Sequence, residues 1–256
     1  MKPVRVTFLG TGTSTGVPVP TCDCPICRSN DPRDQRLRPS VRLEWEAASV
    51  LIDTSTDLRQ QALRYDIDRI DAVLYTHAHA DHVLGLDELR LYNWRQKKAI
   101  PAYGSARTLD AVRRTFWYVF DDEPSLSTRP AIDLMPVDGG FDLLGRAVAP
   151  VPAYHGDLPI DGWRIGDFAY LTDVSRLPQP SYALLEGLDV LVLNALRERP
   201  HPTHLTVEQA VAEAQRIGAR RTLFTHMSHE LSHAAISAQL PGGVELAYDG
   251  LVLDLE

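Results

Sequence analysis

Thr76-His77-Ala78-His79-Ala80-Asp81-His82 follows the apolar run Ile70-Asp71-Ala72-Val73-Leu74-Tyr75, so four potential metal ligands sit where a short buried strand should end. Histidines two apart are not the i, i+4 pair of a helical zinc motif. In extended chain, residues i and i+2 point the same way. His77 and His79 can therefore reach one ion from the strand end, and Asp81 and His82, a turn of loop later, can reach a second. The competing reading is a polar turn rich in histidine, and four ligand types at this spacing rarely coincide by accident.

Metal sites need more ligands than these four. His155 in PAYHGD, Asp173 in YLTDVS and His226 in LFTHMS each follow an apolar or β-type stretch. The runs VLYTHAHADH and LFTHMSH both pass from an apolar strand into Thr-His. That echo suggests two equivalent strand ends directing their loops at one place, the usual position of ligands in α/β layers.

The surrounding chain has the pattern such layers need. VRVTFLG, ASVLIDTS, DVLVLNA and RTLFT read as strands, and AIDLMPVDGGFDLLGRAVAPVPA as short strands and turns. DLRQQALRY, GLDELRLYNWRQ, ARTLDAVRRTFWYVF and VEQAVAEAQRIGA read as helices, the last stopping at Gly218. With 256 residues, 44% hydrophobic and 23% charged, the composition fits one α/β domain over residues 1–256 with a sizeable core. A net charge of −8 is a poor match for holding a long polyanion. There is no apolar run of membrane-spanning length, and MKPVRVTFLG lacks the parts of a signal peptide. The expectation is a cytoplasmic protein with no membrane partner.

All three cysteines, Cys22, Cys24 and Cys27, lie in CDCPIC. An odd, tight cluster is not a disulfide framework. In a reducing compartment it reads as thiolate ligands for zinc.

THAHADH resembles the H-x-H-x-D-H signature of the metallo-β-lactamase superfamily, and His155, Asp173 and His226 follow in that superfamily's order. The resemblance implies an α/β fold, a four-layer αββα sandwich with a dinuclear site at one edge. It assigns His77, His79 and His155 to one metal, Asp81, His82 and His226 to the other, and Asp173 as the bridge. The missing downstream cysteine ligand disfavours the antibiotic-hydrolysing branch. His79, where the diiron branch has glutamate, disfavours redox chemistry.

GTGTSTGVPVPTCDCPIC and THMSH are similar to the PhnP-type cyclic phosphodiesterases and their ribonuclease Z-like relatives. That similarity implies a structural zinc on Cys22, Cys24, Cys27 and His229, with His233 as the other nearby histidine. It also implies a substrate-side histidine before LTVEQAVAEA. His204 fits best and His201 is the alternative, either donating a proton to the leaving alcohol or stabilising phosphate charge. The expected activity is hydrolysis of a small phosphodiester, such as a cyclic ribose or nucleoside phosphate, by a metal-bridging hydroxide that Asp81 helps orient. The active-site ions would be Zn2+ or Mn2+, with Fe and Ni also compatible.

Three alternatives remain: a glyoxalase II-like thioester hydrolase, a ribonuclease Z-like RNA phosphodiesterase, and a metal-binding accessory protein without turnover. The step of about 18 residues from His155 to Asp173 leaves no room for a long RNA-binding arm, which disfavours nucleic acid. A homodimer is implied by resemblance alone.

Overall fold

The structure is a computed structural model that describes residues 3–121 and 126–255. The chain divides into two compact units, Met1–Leu9 with Ser40–Asp138 and Val252–Glu256, and Gly10–Pro39 with Gly139–Leu251. Each unit is built on one seven-stranded mixed sheet.

The first unit contains β1 (Val4–Gly10), β2 (Ser40–Trp45), β3 (Ala48–Ile52), β4 (Ala72–Leu74), β5 (Ile100–Gly104), β6 (Ile132–Pro136) and the late strand β14 (Val252–Leu255). Their order is β14-β1-β2-β3-β4-β5-β6, with β3 to β6 parallel. Parallel neighbours need crossovers. These are α1 (Leu58–Arg64) after β3, α2 (Ala80–Val83) and α3 (Leu89–Gln96) after β4, and α4 (Ala106–Thr115) after β5. The central strands are continuous apolar runs because both faces are covered. Leu51, Val73 and Ala102 pack in one cluster with Leu58, Leu89, Leu109 and Val112 from the helices.

Two expected helices are interrupted. GLDELRLYNWRQ is a 3-10 turn over Leu84–Glu88 followed by α3. Gly85 lies so close to the start of α1 that a Cβ would stand 2.7 Å from Leu58 Cβ, so packing sets the backbone there. ARTLDAVRRTFWYVF stops being α-helical at Thr115 and continues as a 3-10 turn over Trp117–Val119, with Phe116 turned into the core.

The second unit contains β7 (Phe141–Leu143), β8 (Arg146–His155), β9 (Leu158–Ile165), β10 (Phe168–Leu171), β11 (Val190–Asn194), β12 (Arg221–Thr225) and β13 (Val244–Leu246), in the order β13-β12-β11-β10-β9-β8-β7. Strands β7 to β10 form an antiparallel meander and β10 to β13 run parallel. Its helices are α5 (Gln179–Ala183), α6 (Val207–Ile217) and α7 (His233–Ser237). Helix α6 starts at a reciprocal Thr206–Gln209 capping box and ends at Gly218, whose φ of 74° permits the left-handed turn. The short step from His155 to Asp173 is filled by β9 and β10.

The parallel strands deliver polar residues at their carboxyl ends in both units. Asp53 follows β3 and Thr76-His77 follow β4 closely. Thr172-Asp173 follow β10, Asn194 ends β11, and Thr225-His226 close β12. Among the described residues no helix is long and apolar enough to cross a membrane.

Candidate metal centre

In the first unit the histidine cluster is organised by a residue that the sequence reading passed over. Asp53, fully buried, accepts hydrogen bonds from the Thr76 N–H at 2.8 Å, the Thr76 hydroxyl at 2.8 Å and His82 Nδ1 at 2.7 Å. A carboxylate on Nδ1 requires the hydrogen there and leaves the Nε2 lone pair for an ion. Burial raises the Asp53 pKa, against the pull of His82 and Thr76. Its φ of 63° is left-handed, an uncommon conformation for a residue with a side chain and one that clusters at functional sites. The only sequence signal was a polar residue at the end of the ASVLI run.

The expected loop after His79 is in fact the single turn of α2, with His79 at its N-cap. The His82 N–H donates to the His79 carbonyl at 3.0 Å, and this turn folds Asp81 and His82 back toward His77. Ring centroids of His77 and His79 lie 4.6 Å apart, and those of His77 and His82 4.2 Å apart. Asp81 Oδ2 is 3.4 Å from His82 Nε2. These four predicted ligands thus lie together in the first unit.

In the second unit, His155 at the end of β8 places Nδ1 2.9 Å from the Asp173 carbonyl and 2.9 Å from the Thr203 carbonyl. Both partners only accept, so Nδ1 carries the hydrogen and Nε2 presents its lone pair. Asp173 Oδ1 accepts from the Thr172 hydroxyl at 2.7 Å and lies 3.1 Å from His226 Nε2. Asp173 Oδ2 lies 3.3 Å from His204 Nε2. Asp173 and His226 are left-handed, with φ of 60° and 58°. The His204 ring stacks on His226 with centroids 5.0 Å apart and meets His155 edge-on at 4.6 Å. Burial pushes the His204 pKa down to about 4. Of the two candidate substrate-side histidines, His204 stands against Asp173, and His201 stands behind it with Nδ1 atoms 3.1 Å apart.

The cysteine cluster forms a separate site within the second unit. Cys22, Cys24 and Cys27 sulfurs lie 3.3, 3.4 and 3.6 Å from His229 Nδ1. A tetrahedral zinc with ordinary Zn–S and Zn–N distances has S···N edges of about 3.5 Å. The four ligand atoms therefore already have the spacing of a closed Cys3His site. The Cys27 N–H donates to Cys24 Sγ and lowers that thiol to about 6, whereas burial pushes Cys27 up to about 11. A cation among the sulfurs would resolve that opposition by stabilising all three thiolates. His233 stands apart: its N–H donates to Asp34 Oδ1 and its ring packs on Tyr248.

The donor chemistry of both regions fits divalent metal. Carboxylate or carbonyl partners set the tautomers of His82 and His155, and carboxylates in one region and thiolates in the other supply negative charge.

Residues 48–227 match the model of the β-lactamase superfamily domain. The chain belongs to the metallo-β-lactamase superfamily. Its two helix-covered mixed sheets are those of the superfamily's αββα fold. The crystal structure of a diphosphatase from the PhnP family is 44% identical, with a TM-score of 0.93, over 99% of this chain and 97% of that one. A protein named octanoyltransferase, from Porphyromonas gingivalis, is 41% identical over 97% of the chain, and the chain spans only 51% of that relative's length. Ribonuclease Z of Mycobacterium marinum is 25% identical over 96% of both chains.

Proposed function

We propose that the chain is a metal-dependent hydrolase whose two His/Asp sets serve one dinuclear centre and act on a small phosphodiester or a related phosphoanhydride. In this reading His77, His79 and His155 hold one ion, Asp81, His82 and His226 hold the second, and Asp173 is shared. Cys22, Cys24, Cys27 and His229 hold a structural zinc, and the whole chain works as one catalytic domain. Two divalent ions would supply an activated water and neutralise phosphoryl charge.

The chain's own residues do the remaining work. Asp53 and the carbonyls of Asp173 and Thr203 keep His82 and His155 in the tautomers that ligation requires. Asp81 is the carboxylate that orients the attacking water. His204 stands beside the shared carboxylate to donate a hydrogen to the leaving or phosphoryl oxygen. Burial keeps it neutral near pH 7, so it acts as an imidazole N–H donor.

The observation that carries the substrate class is the likeness, over nearly the whole of both chains, to a diphosphatase of the PhnP family. The net charge of −8 favours a small substrate over RNA. The test is hydrolysis of bis(p-nitrophenyl) phosphate, a cyclic ribose phosphate and a nucleoside diphosphate ester with Mn2+ or Zn2+ restored, beside a precursor tRNA. Turnover of the small esters, lost on chelation and on His204→Ala, supports the reading. Cleavage of the tRNA alone would overturn it.

A second reading, thioester hydrolysis, draws support from the relative named octanoyltransferase, a name that denotes acyl transfer. Release of free thiol from an octanoyl thioester, with no phosphoester turnover, would favour it.

A further inference from the structure

We propose that His201 and Thr203 are positioning residues that set the ring of His204, resting on the role given to His204 above. Thr203 stands at the centre of the local contacts. Its hydroxyl lies 3.0 Å from His204 Nδ1 and 3.2 Å from His201 Nδ1. Its backbone N–H donates to His201 Nδ1 at 3.3 Å. Its carbonyl accepts from His155 Nδ1 at 2.9 Å.

These contacts have a directional consequence. Because the Thr203 N–H donates into its one lone pair, His201 Nδ1 ties the His201 ring to the Thr203 backbone. His204 Nε2 faces a carboxylate oxygen of Asp173, so Nε2 carries the ring hydrogen and Nδ1 is an acceptor, satisfied by the Thr203 hydroxyl at 3.0 Å beside the His201 ring. A half-turn of the ring would place carbon against both oxygens. The orientation that keeps Nδ1 on the hydroxyl is the one that aims Nε2 at Asp173.

The loop carrying the pair is itself restrained. Arg197 donates to the carbonyls of Arg199 and Pro200 at 3.2 and 3.0 Å. Arg197 and Arg199 both pair with Glu230, next to the zinc-site residue His229. On the other side lies Gly156, where a Cβ would come within 2.9 Å of Thr203 Cγ2. These contacts hold the loop from outside, and the side chain that the Thr203 hydroxyl and the His201 ring both touch is His204.

The experiment compares Thr203→Val, which removes the hydroxyl at similar volume, with Thr203→Ser, which keeps it. His201→Leu is compared with His201→Asn, whose amide can replace Nδ1. Bis(p-nitrophenyl) phosphate kinetics, metal content and ring-nitrogen NMR of His204, assigned by its loss in His204→Ala, are read for each. Thr203→Val and His201→Leu should lower kcat ~10–100-fold, with KM and metal content within about twofold of wild type. Both should move the His204 Nδ1 resonance, and the Ser and Asn variants should restore rate and resonance. Full turnover with an unmoved resonance in Thr203→Val overturns the proposal, as does a loss that Ser fails to restore. If His204→Ala itself keeps full turnover, the catalytic reading of His204 fails instead, and the ring resonance alone then decides whether the pair sets the ring.

Discussion

Asp53→Asn tests whether the buried carboxylate prepares His82 for metal. The substitution keeps the shape, and asparagine tolerates the left-handed backbone at φ 63°. One amide oxygen can still accept the Thr76 N–H, now 2.8 Å from Oδ1. The other position becomes an NH2 group facing His82 Nδ1, now 2.7 Å from Oδ2. Two N–H donors then meet head-on in a fully buried place. His82 can relieve the clash by moving its hydrogen to Nε2, which removes the lone pair meant for the ion. Loss of such an orienting partner ordinarily weakens metal affinity ~10–100-fold, or about 1.4–2.7 kcal/mol. The stability of the metal-free protein should change far less, because burial already penalises the Asp53 charge. The assay is zinc titration of metal-free protein against a chromophoric chelator, with the cysteine site counted separately by thiol reactivity. An Asn variant that binds active-site zinc at wild-type affinity would refute the reasoning and reduce Asp53 to a cap on Thr76.

Other outcomes follow from the same geometry. Asp173→Ala should lose both active-site metal and phosphoesterase activity, by elemental analysis and turnover, while retaining the cysteine-site zinc. Cys24→Ser should release the structural zinc and lower the thermal midpoint by several degrees, with a smaller effect on kcat at temperatures where the variant is folded. His233, whose pKa is lowered by burial and by Arg33 and Arg36 against the opposing pull of Asp31 and Asp34, should make the fold acid-sensitive. The unfolded chain takes up a proton near pH 6.5 that the folded state resists, so stability falls as pH drops below about 6.5. Urea midpoints at pH 7.5 and 5.5 should therefore differ less in His233→Gln than in wild type, and equal differences would exclude that origin.

Much of the ligand chemistry was legible as residue types following apolar runs. THAHADH after AVLY, Thr-His after RTLF, and the three clustered cysteines needed no coordinates, because strand ends and thiolate spacing are local properties. Helix α6 was readable from its period and from Gly218 for the same reason. The break at Gly85 was not, because it answers to the distant backbone of Ser55 and the Leu58 side chain. Nor was Asp53, whose partners Thr76 and His82 are remote in the chain; the preference for His204 over His201 came from the resemblance, and the contact of its ring with Asp173 from the fold. The sequence by itself determined which donors exist and which family of folds could gather them. Tertiary structure decided which histidine nitrogen carries its hydrogen and which way each ring faces, because those depend on carbonyls and carboxylates that other strands bring within hydrogen-bond reach.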